Sequence, residues 1–243
     1  MVFAPEGTDL YPFLSNDTLM KVVISVGGSV IAPTLSQEKF LDYAEVIREL
    51  AKENIVLVVT GGGKAARDYI RAARSMGASE AVCDLIGIAL SRVNARLLIS
   101  ALSSAAFQDI PHDYREAETA LSSQKVVVMG GVAPGQTTDA VSAILSEYVQ
   151  TDLLIIATSV DGVYTADPYV NKNATKLDEV TTGELVKIVM AEEMKAGAKT
   201  VIDPLAAKII ERSRISAVVI DGREPKTLLD AVAGKRVGTR IVH

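Results

Sequence analysis

The sequence predicts a three-layer α/β/α protein built on a doubly wound, mainly parallel sheet. Short Val- and Ile-rich runs without polar alternation recur along the chain, and longer amphipathic segments separate them. Glycine turns follow three of those runs: Gly27-Gly28-Ser29, Gly61-Gly62-Gly63 and Gly130-Gly131. They mark the strands' C-terminal edge, where such sheets bind ligands.

The predicted strands, in order, are Val22–Val26, Ile55–Val59, Val126–Met129, Leu153–Ile156 and Ala217–Ile220. Between them lie helices. Phe40, Ala44, Ile47 and Ala51 recur at helical spacing, as do Leu205, Ile209 and Arg212 on their own turns. Thr181-Thr182-Gly183-Glu184 has capping-box spacing ahead of Leu185-Val186-Lys187-Ile188. Ala81–Leu102 is apolar on most sides, through Val82, Leu85, Ile88, Val93, Leu97 and Leu98. That pattern suits a helix buried within the subunit or one packed partly on a partner, and a homo-oligomer is expected. Residues 1–19 precede the first regular pattern and read as an extension, with residues 20–243 forming a single domain.

Composition narrows the function. A net charge of −5 and 23% charged residues give no broadly basic surface, so nucleic acid is a poor partner. The single cysteine, Cys83, excludes an intrachain disulfide and a thiolate cluster and suits a reducing cytoplasm. No uninterrupted apolar run reaches the roughly 18 residues of a membrane span, and the first nineteen residues lack Lys and Arg, unlike a secretory signal.

The triple glycine ends an apolar run and precedes Lys64-Ala65-Ala66-Arg67. A bend there leaves N–H groups at a helix start with no side chain to block an anion, and phosphate is the natural occupant. Gly130 to Thr137 reads G-G-V-A-P-G-Q-T, but Gln136 stands where a P-loop has its lysine, so that motif is rejected. No turn has G-x-G-x-x-G spacing, which argues against a dinucleotide dehydrogenase. Thr137-Thr138-Asp139 opens the helix Ala140–Val149. Asp161-Gly162 is a turn signal, with Asp161 either a cap or an organiser of cations. Lys208 sits near the start of the helix after Asp203-Pro204, against the macrodipole, either solvated or reaching an anion.

The ordered motifs Gly27-Gly28-Ser29, Gly61-Gly62-Gly63-Lys64-Ala65-Ala66-Arg67, Ser159-Val160-Asp161-Gly162-Val163-Tyr164-Thr165-Ala166-Asp167-Pro168 and Asp203-Pro204-Leu205-Ala206-Ala207-Lys208 resemble the amino acid kinase superfamily, most closely its archaeal-type uridylate (UMP) kinases. The resemblance runs from about Met20 to the C-terminus and implies the amino acid kinase fold. It implies transfer of the γ-phosphoryl group of ATP to UMP in pyrimidine nucleotide (CTP) synthesis, Mg2+ arriving with ATP, no protein metal ligand, and a homohexamer built as a trimer of dimers. It implies Gly27, Gly28, Gly63, Arg67, Thr158, Tyr164 and Asp167 around ATP. Gly62, Asp84 (at the ribose) and the loop Val132, Ala133, Pro134, Gly135, Gln136, Thr137 and Thr138 would surround UMP. Asp161, Lys208 and Arg67 would act at the transferring phosphate. Many members carry a lysine where this chain has Ser25, a departure shared with the archaeal branch; Lys64 or Arg67 is left to supply the charge. The alternatives are a kinase of the same scaffold acting on a carboxylate, carbamate or isoprenoid phosphate, or a non-catalytic nucleotide-binding protein. His112 and His243 lie outside every motif.

Overall fold

The strand ends that carry the glycine turns converge at one edge of a seven-stranded sheet. The structure, a computed structural model, describes residues 19–166, 171, 173–193 and 201–243. The strands are β1 (Met20–Val26), β2 (Asn54–Thr60), β3 (Val126–Met129), β4 (Leu153–Thr158), β5 (Glu179–Thr181), β6 (Ala217–Asp221) and β7 (Thr239–Val242). The helices are α1 (Gly28–Ile31), α2 (Gln37–Leu50), α3 (Gly63–Ser75), α4 (Glu80–Leu102), α5 (Tyr114–Ala120), α6 (Thr138–Val149), α7 (Thr182–Glu193), α8 (Pro204–Ser213) and α9 (Thr227–Val232).

Spatial order is β3-β2-β1-β4-β6-β7-β5. All pairings are parallel except β6 with β7. The five strands read from the sequence form the contiguous parallel part. β5 and β7 complete it at one edge. The chain winds outward from β1 to β3, then returns through α6 to β4 on β1's other side. The reversal between β1 and β4 is the switch point at which sheets of this class bind ligands.

Strand alternation distributes the core. Val22, Ile24 and Val26 face one apolar layer with Phe40, Ala44 and Ile47 of α2 and Ala95, Leu98 and Leu102 of α4. Val23, Leu57, Val59, Leu154 and Ile156 face the other, with Val141 and Leu145 of α6, Leu185 of α7 and Ile210 of α8. Ser25, in step with Val23, therefore faces the α6–α8 layer. The predicted capping box forms: Thr181 N–H and Oγ1 donate to the Glu184 carboxylate at 3.1 and 2.7 Å, and Glu184 N–H donates to Thr181 Oγ1 at 3.3 Å.

Two expectations need correction. In α8 the buried stripe is Ala206, Ala207, Ile209 and Ile210, whereas Leu205 is exposed and Arg212 reaches Glu147. Glu80–Ala105, with mean hydropathy 1.5, is long and apolar enough by length and composition to cross a membrane. Interrupting charges such as Asp84 and Arg92 hid it from a search for uninterrupted runs. It packs on α2, α3 and the sheet, and its buried Ser91 and Asn94 hydrogen-bond to neighbouring strand-end turns.

Candidate active site

The glycine turns at β1 and β2 are pressed backbone against backbone. A Cβ on Gly28 would lie 2.2 Å from Gly63 N, and one on Gly61 would lie 2.3 Å from Gly28 N. Gly63 also has φ +70° and Ala32 O beside it, so only glycine serves there. This changes the reading of the turns as rows of open N–H donors. Gly27 N–H donates to Ala157 O at 3.0 Å, Gly61 N–H to Val26 O at 2.9 Å, and Lys64 N–H to Ala32 O at 2.9 Å. Gly131 N–H donates to Ser91 Oγ at 2.7 Å. A Cβ on Gly130 would meet Arg92 N at 2.7 Å, and one on Gly131 would meet Ile88 Cγ1 at 2.9 Å. The third pair is therefore glycine because α4 passes close over it. In α1 the N–H groups of Val30 and Ile31 also bond back to Gly27 O, so the anion-binding capacity of the helix starts of α1 and α3 rests on the remaining early N–H groups.

Helix α4 fixes these turns through polar residues that the sequence reading did not single out. Asn94 Nδ2 donates to Gly61 O at 2.8 Å, Thr60 Oγ1 donates to Ser91 O at 2.9 Å, and Arg92 Nε donates to Gly131 O at 3.1 Å. Their signal was available: hydrogen-bonding side chains recurring within an otherwise apolar helix.

A cavity of about 490 Å³ opens beside the turns. Gly28, Gly62, Gly63, Arg67, Asp84, Gln136, Thr137 and Thr138 all line it. Residues predicted at four separate places in the chain thus line one cavity. Asp84 accepts a hydrogen bond from Gly135 N–H at 2.8 Å, tying α4 to the loop before α6. Gln136 Oε1 accepts from Tyr114 Oη at 2.9 Å; burial pushes that tyrosine up to about 12, against the opposing effect of this bond. Thr137 caps α6, accepting from Ala140 N–H at 3.2 Å. Val132, Ala133 and Pro134 belong to the same loop but do not line this cavity.

Of the residues expected around ATP, Gly28, Gly63 and Arg67 line this cavity, whereas Gly27, Thr158 and Tyr164 do not, and neither do Asp161 and Lys208. Thr158 ends β4, and its carbonyl accepts from Gly222 N–H at 2.8 Å. Asp161 is exposed, accepts from Tyr164 Oη at 2.8 Å and lies 3.7 Å from Lys176 Nζ. Lys208 is exposed and paired with Glu211 at 3.1 Å, one turn along α8. Asp167 lies outside the described residues.

A half-buried acid, Asp139, stands at the switch point itself. Ser25 is fully buried on β1, and its Oγ donates to Asp139 Oδ1 at 2.7 Å. Burial pushes the Asp139 carboxyl up to about 6, opposed by the Ser25 hydrogen bond; the Asp203 charge raises it further and the Asp203 main-chain N–H lowers it. Asp203 is the N-cap of α8 and accepts from Ala206 N–H at 2.9 Å. The sequence reading saw Asp139 only as a helix opener. An i-to-j contact across 114 positions leaves no local mark.

Comparison with known proteins bears on this site. The model of the amino acid kinase family matches residues 20–221. The chain belongs to the amino acid kinase family. Within that family it resembles archaeal uridylate kinases along nearly its whole length. The uridylate kinase of Methanosarcina mazei is 55% identical over 216 residues, spanning 89% of this chain and 93% of that protein. The one from Archaeoglobus fulgidus is 52% identical over 222 residues, 91% and 100% of the two chains. The crystal structure of uridylate kinase from Archaeoglobus fulgidus superposes with a TM-score of 0.85 at 50% identity, covering 92% and 100%. UMP kinase from Bacillus anthracis, at 22% identity and a TM-score of 0.75 over 92% and 96%, shares the fold.

Proposed function

We propose that this protein transfers the γ-phosphoryl group of ATP to the phosphate of UMP, giving UDP and ADP, in the cytoplasmic synthesis of pyrimidine nucleotides. The observation that carries the reading is the 490 Å³ cavity in which Arg67 and Asp84 share one wall with the glycine turns. Its volume falls in the range of small-molecule sites, roughly 300–1,000 Å³. A guanidinium suits a phosphate, and a carboxylate suits ribose hydroxyls. The names of relatives more than 50% identical support the same substrates.

In this reading UMP occupies that cavity, against Gly62, Asp84, Gln136, Thr137 and Thr138, with Val132–Gly135 in the loop leading to them. ATP lies toward β4 and α8, near Thr158, Tyr164 and Asp167. The N-terminal part of one domain (20–243) thus serves the acceptor and the C-terminal part the donor. The acceptor oxygen is already anionic, so no general base is required. Catalysis is alignment plus stabilisation of charge on the transferring group. Arg67 and the first-turn N–H groups of α1 and α3 supply positive potential, and Asp161 and Lys208 act from the donor side.

Mg2+ enters as the cation of ATP. Phosphate oxygens and water are hard ligands suited to it. Bound there, it neutralises phosphate charge.

Helix α4 supports an oligomer, as in the homohexamer implied by the resemblance. Val82, Leu85, Val93 and Leu97 form an exposed stripe at helical spacing, 37–54% accessible.

An ADP-release assay with UMP, CMP, carbamate and acetylglutamate as acceptors tests the activity. UMP should exceed the others by at least about a hundredfold, because buried polar groups mismatched to a wrong base discriminate strongly. Equal rates with carbamate or acetylglutamate would remove UMP as the substrate.

A further inference from the structure

We propose that Ser25 is a positioning residue that holds Asp139 in its ionised form across the switch point, between the β1 glycine turn and the start of α8. The inference rests on the phosphotransfer reading above and deepens it.

The geometry is specific. Ser25 is fully buried in the middle of a parallel strand, paired with Val59 on one side and Ile156 on the other. Its neighbours in β1 are apolar, and its hydroxyl has one protein partner to reach, the Asp139 carboxylate at 2.7 Å. Asp139 is not needed to cap α6, because Thr137 already does so. Asp139 is half-buried, and a carboxylate that loses part of its water without such a function is costly. The Asp203 main-chain N–H favours its charged form from α8, so the carboxylate links β1, α6 and α8. Those three elements carry the glycine turn at Gly27-Gly28, the cavity residues Thr137 and Thr138, and the helix bearing Lys208.

The groups around this carboxyl are few. β1 offers the Ser25 hydroxyl, and α8 offers the Asp203 side chain and N–H. β2 and β4, which also pack on α6, contain no charged residue. Lys208 is turned to Glu211. α5 meets α6 through the Tyr114–Tyr148 ring pair, whose Tyr148 is near the far end of the helix. Among the described residues, the Ser25 hydroxyl and the Asp203 N–H favour the ionised form of Asp139 while desolvation and the Asp203 charge oppose it, so Ser25 has a large share in keeping Asp139 ionised near neutral pH. Where many family members carry lysine, this chain uses a neutral donor.

The test is the pH profile of kcat for wild type, Ser25→Ala and Ser25→Thr with saturating ATP and UMP. A hydrogen bond to a charged group is strong enough to move the carboxyl by about one pH unit. Ser25→Ala should shift the acidic limb up by about that much, with kcat recovering at pH 9. Ser25→Thr should keep the wild-type limb. The phosphate of UMP titrates near pH 6 as well, but it is common to all three proteins, so only the difference between them counts. Carboxyl 13C NMR of Asp139 in the unliganded protein should show the same displacement. A Ser25→Ala limb coincident with wild type, or a uniform fall in kcat at every pH, would overturn the inference. Wild type failing to phosphorylate UMP would instead overturn the parent reading, and the NMR titration would still judge Ser25.

Discussion

Replacing Gly61 by alanine tests whether the two strand-end turns form one unit. The new Cβ would sit 2.3 Å from Gly28 N, 2.8 Å from Gly28 Cα and 3.0 Å from Thr138 Oγ1. The nearest of these is backbone, which has no rotamer in which to retreat. To reach ordinary contact near 3.4 Å, the turns must part by about an ångström. Overpacking of this kind costs about 3 kcal/mol, the upper part of its usual range. For a chain of this size that lowers Tm by roughly 6–12 °C. The same displacement lies inside the site, so kcat/KM for UMP should fall by about a hundredfold even at temperatures where the variant is folded. Circular dichroism melts give the first quantity, and ADP release at 20 °C gives the second. Gly77→Ala is the control: Gly77 has φ +86° but open space around its Cβ position, so it should lose about 1 kcal/mol to backbone strain alone and keep full activity. A Gly61→Ala protein melting within 2 °C of wild type would refute the reasoning, because the contact would then be soft.

Asp84→Ala should raise KM for UMP about tenfold and leave KM for ATP within twofold, since it removes a carboxylate from the acceptor cavity; equal changes for both nucleotides would refute that assignment. If the proposed oligomer forms through the exposed stripe of α4, Leu85→Glu with Val93→Glu, which places two charges there, should give a smaller species than wild type in sedimentation velocity at an unchanged far-UV spectrum. An identical sedimentation coefficient would remove α4 from the interface. Asp139→Asn should stabilise the protein at pH 8 by about 1–2 kcal/mol, judged by urea midpoints. The sign follows from a folded pKa of about 6 lying above the ordinary aspartate value of 3.8. The folded state favours the protonated form, so stability from this site is complete below the unfolded value and is lost as pH rises through about 6. The advantage of the variant should vanish below pH 4, and a variant less stable than wild type at pH 8 would contradict it.

The parallel part of the sheet was legible because each of its strands is a dense run of Val, Ile and Leu buried on both faces. β5 and β7 left no such mark. Glu179–Thr181 is three residues with two exposed, and Thr239–Val242 mixes Arg240 with buried Thr239 and Ile241. Their pairing with each other and with β6 is a tertiary outcome that propensity alone does not specify. Helix α4 was legible as unusual, but not in which of its faces looks outward.

For the site, the sequence marked the strand-end glycines for one reason and the structure supplies another. Glycine at a strand end was read as freeing N–H groups for an anion. Several of those N–H groups turn out to be engaged, and the missing Cβ atoms instead let Gly28 approach Gly61 and Gly63, and let α4 pass over Gly130-Gly131. Both accounts predict glycine at the same positions, so the sequence cannot separate them. The difference matters for mechanism. If the turns only offered donors, each could be altered alone. Because they interlock, and because Asn94, Ser91 and Arg92 bind them to α4, a displacement of the exposed stripe on α4 passes directly to the cavity. Any partner that covers Val82, Leu85, Val93 and Leu97 therefore also steadies the turns that line the cavity.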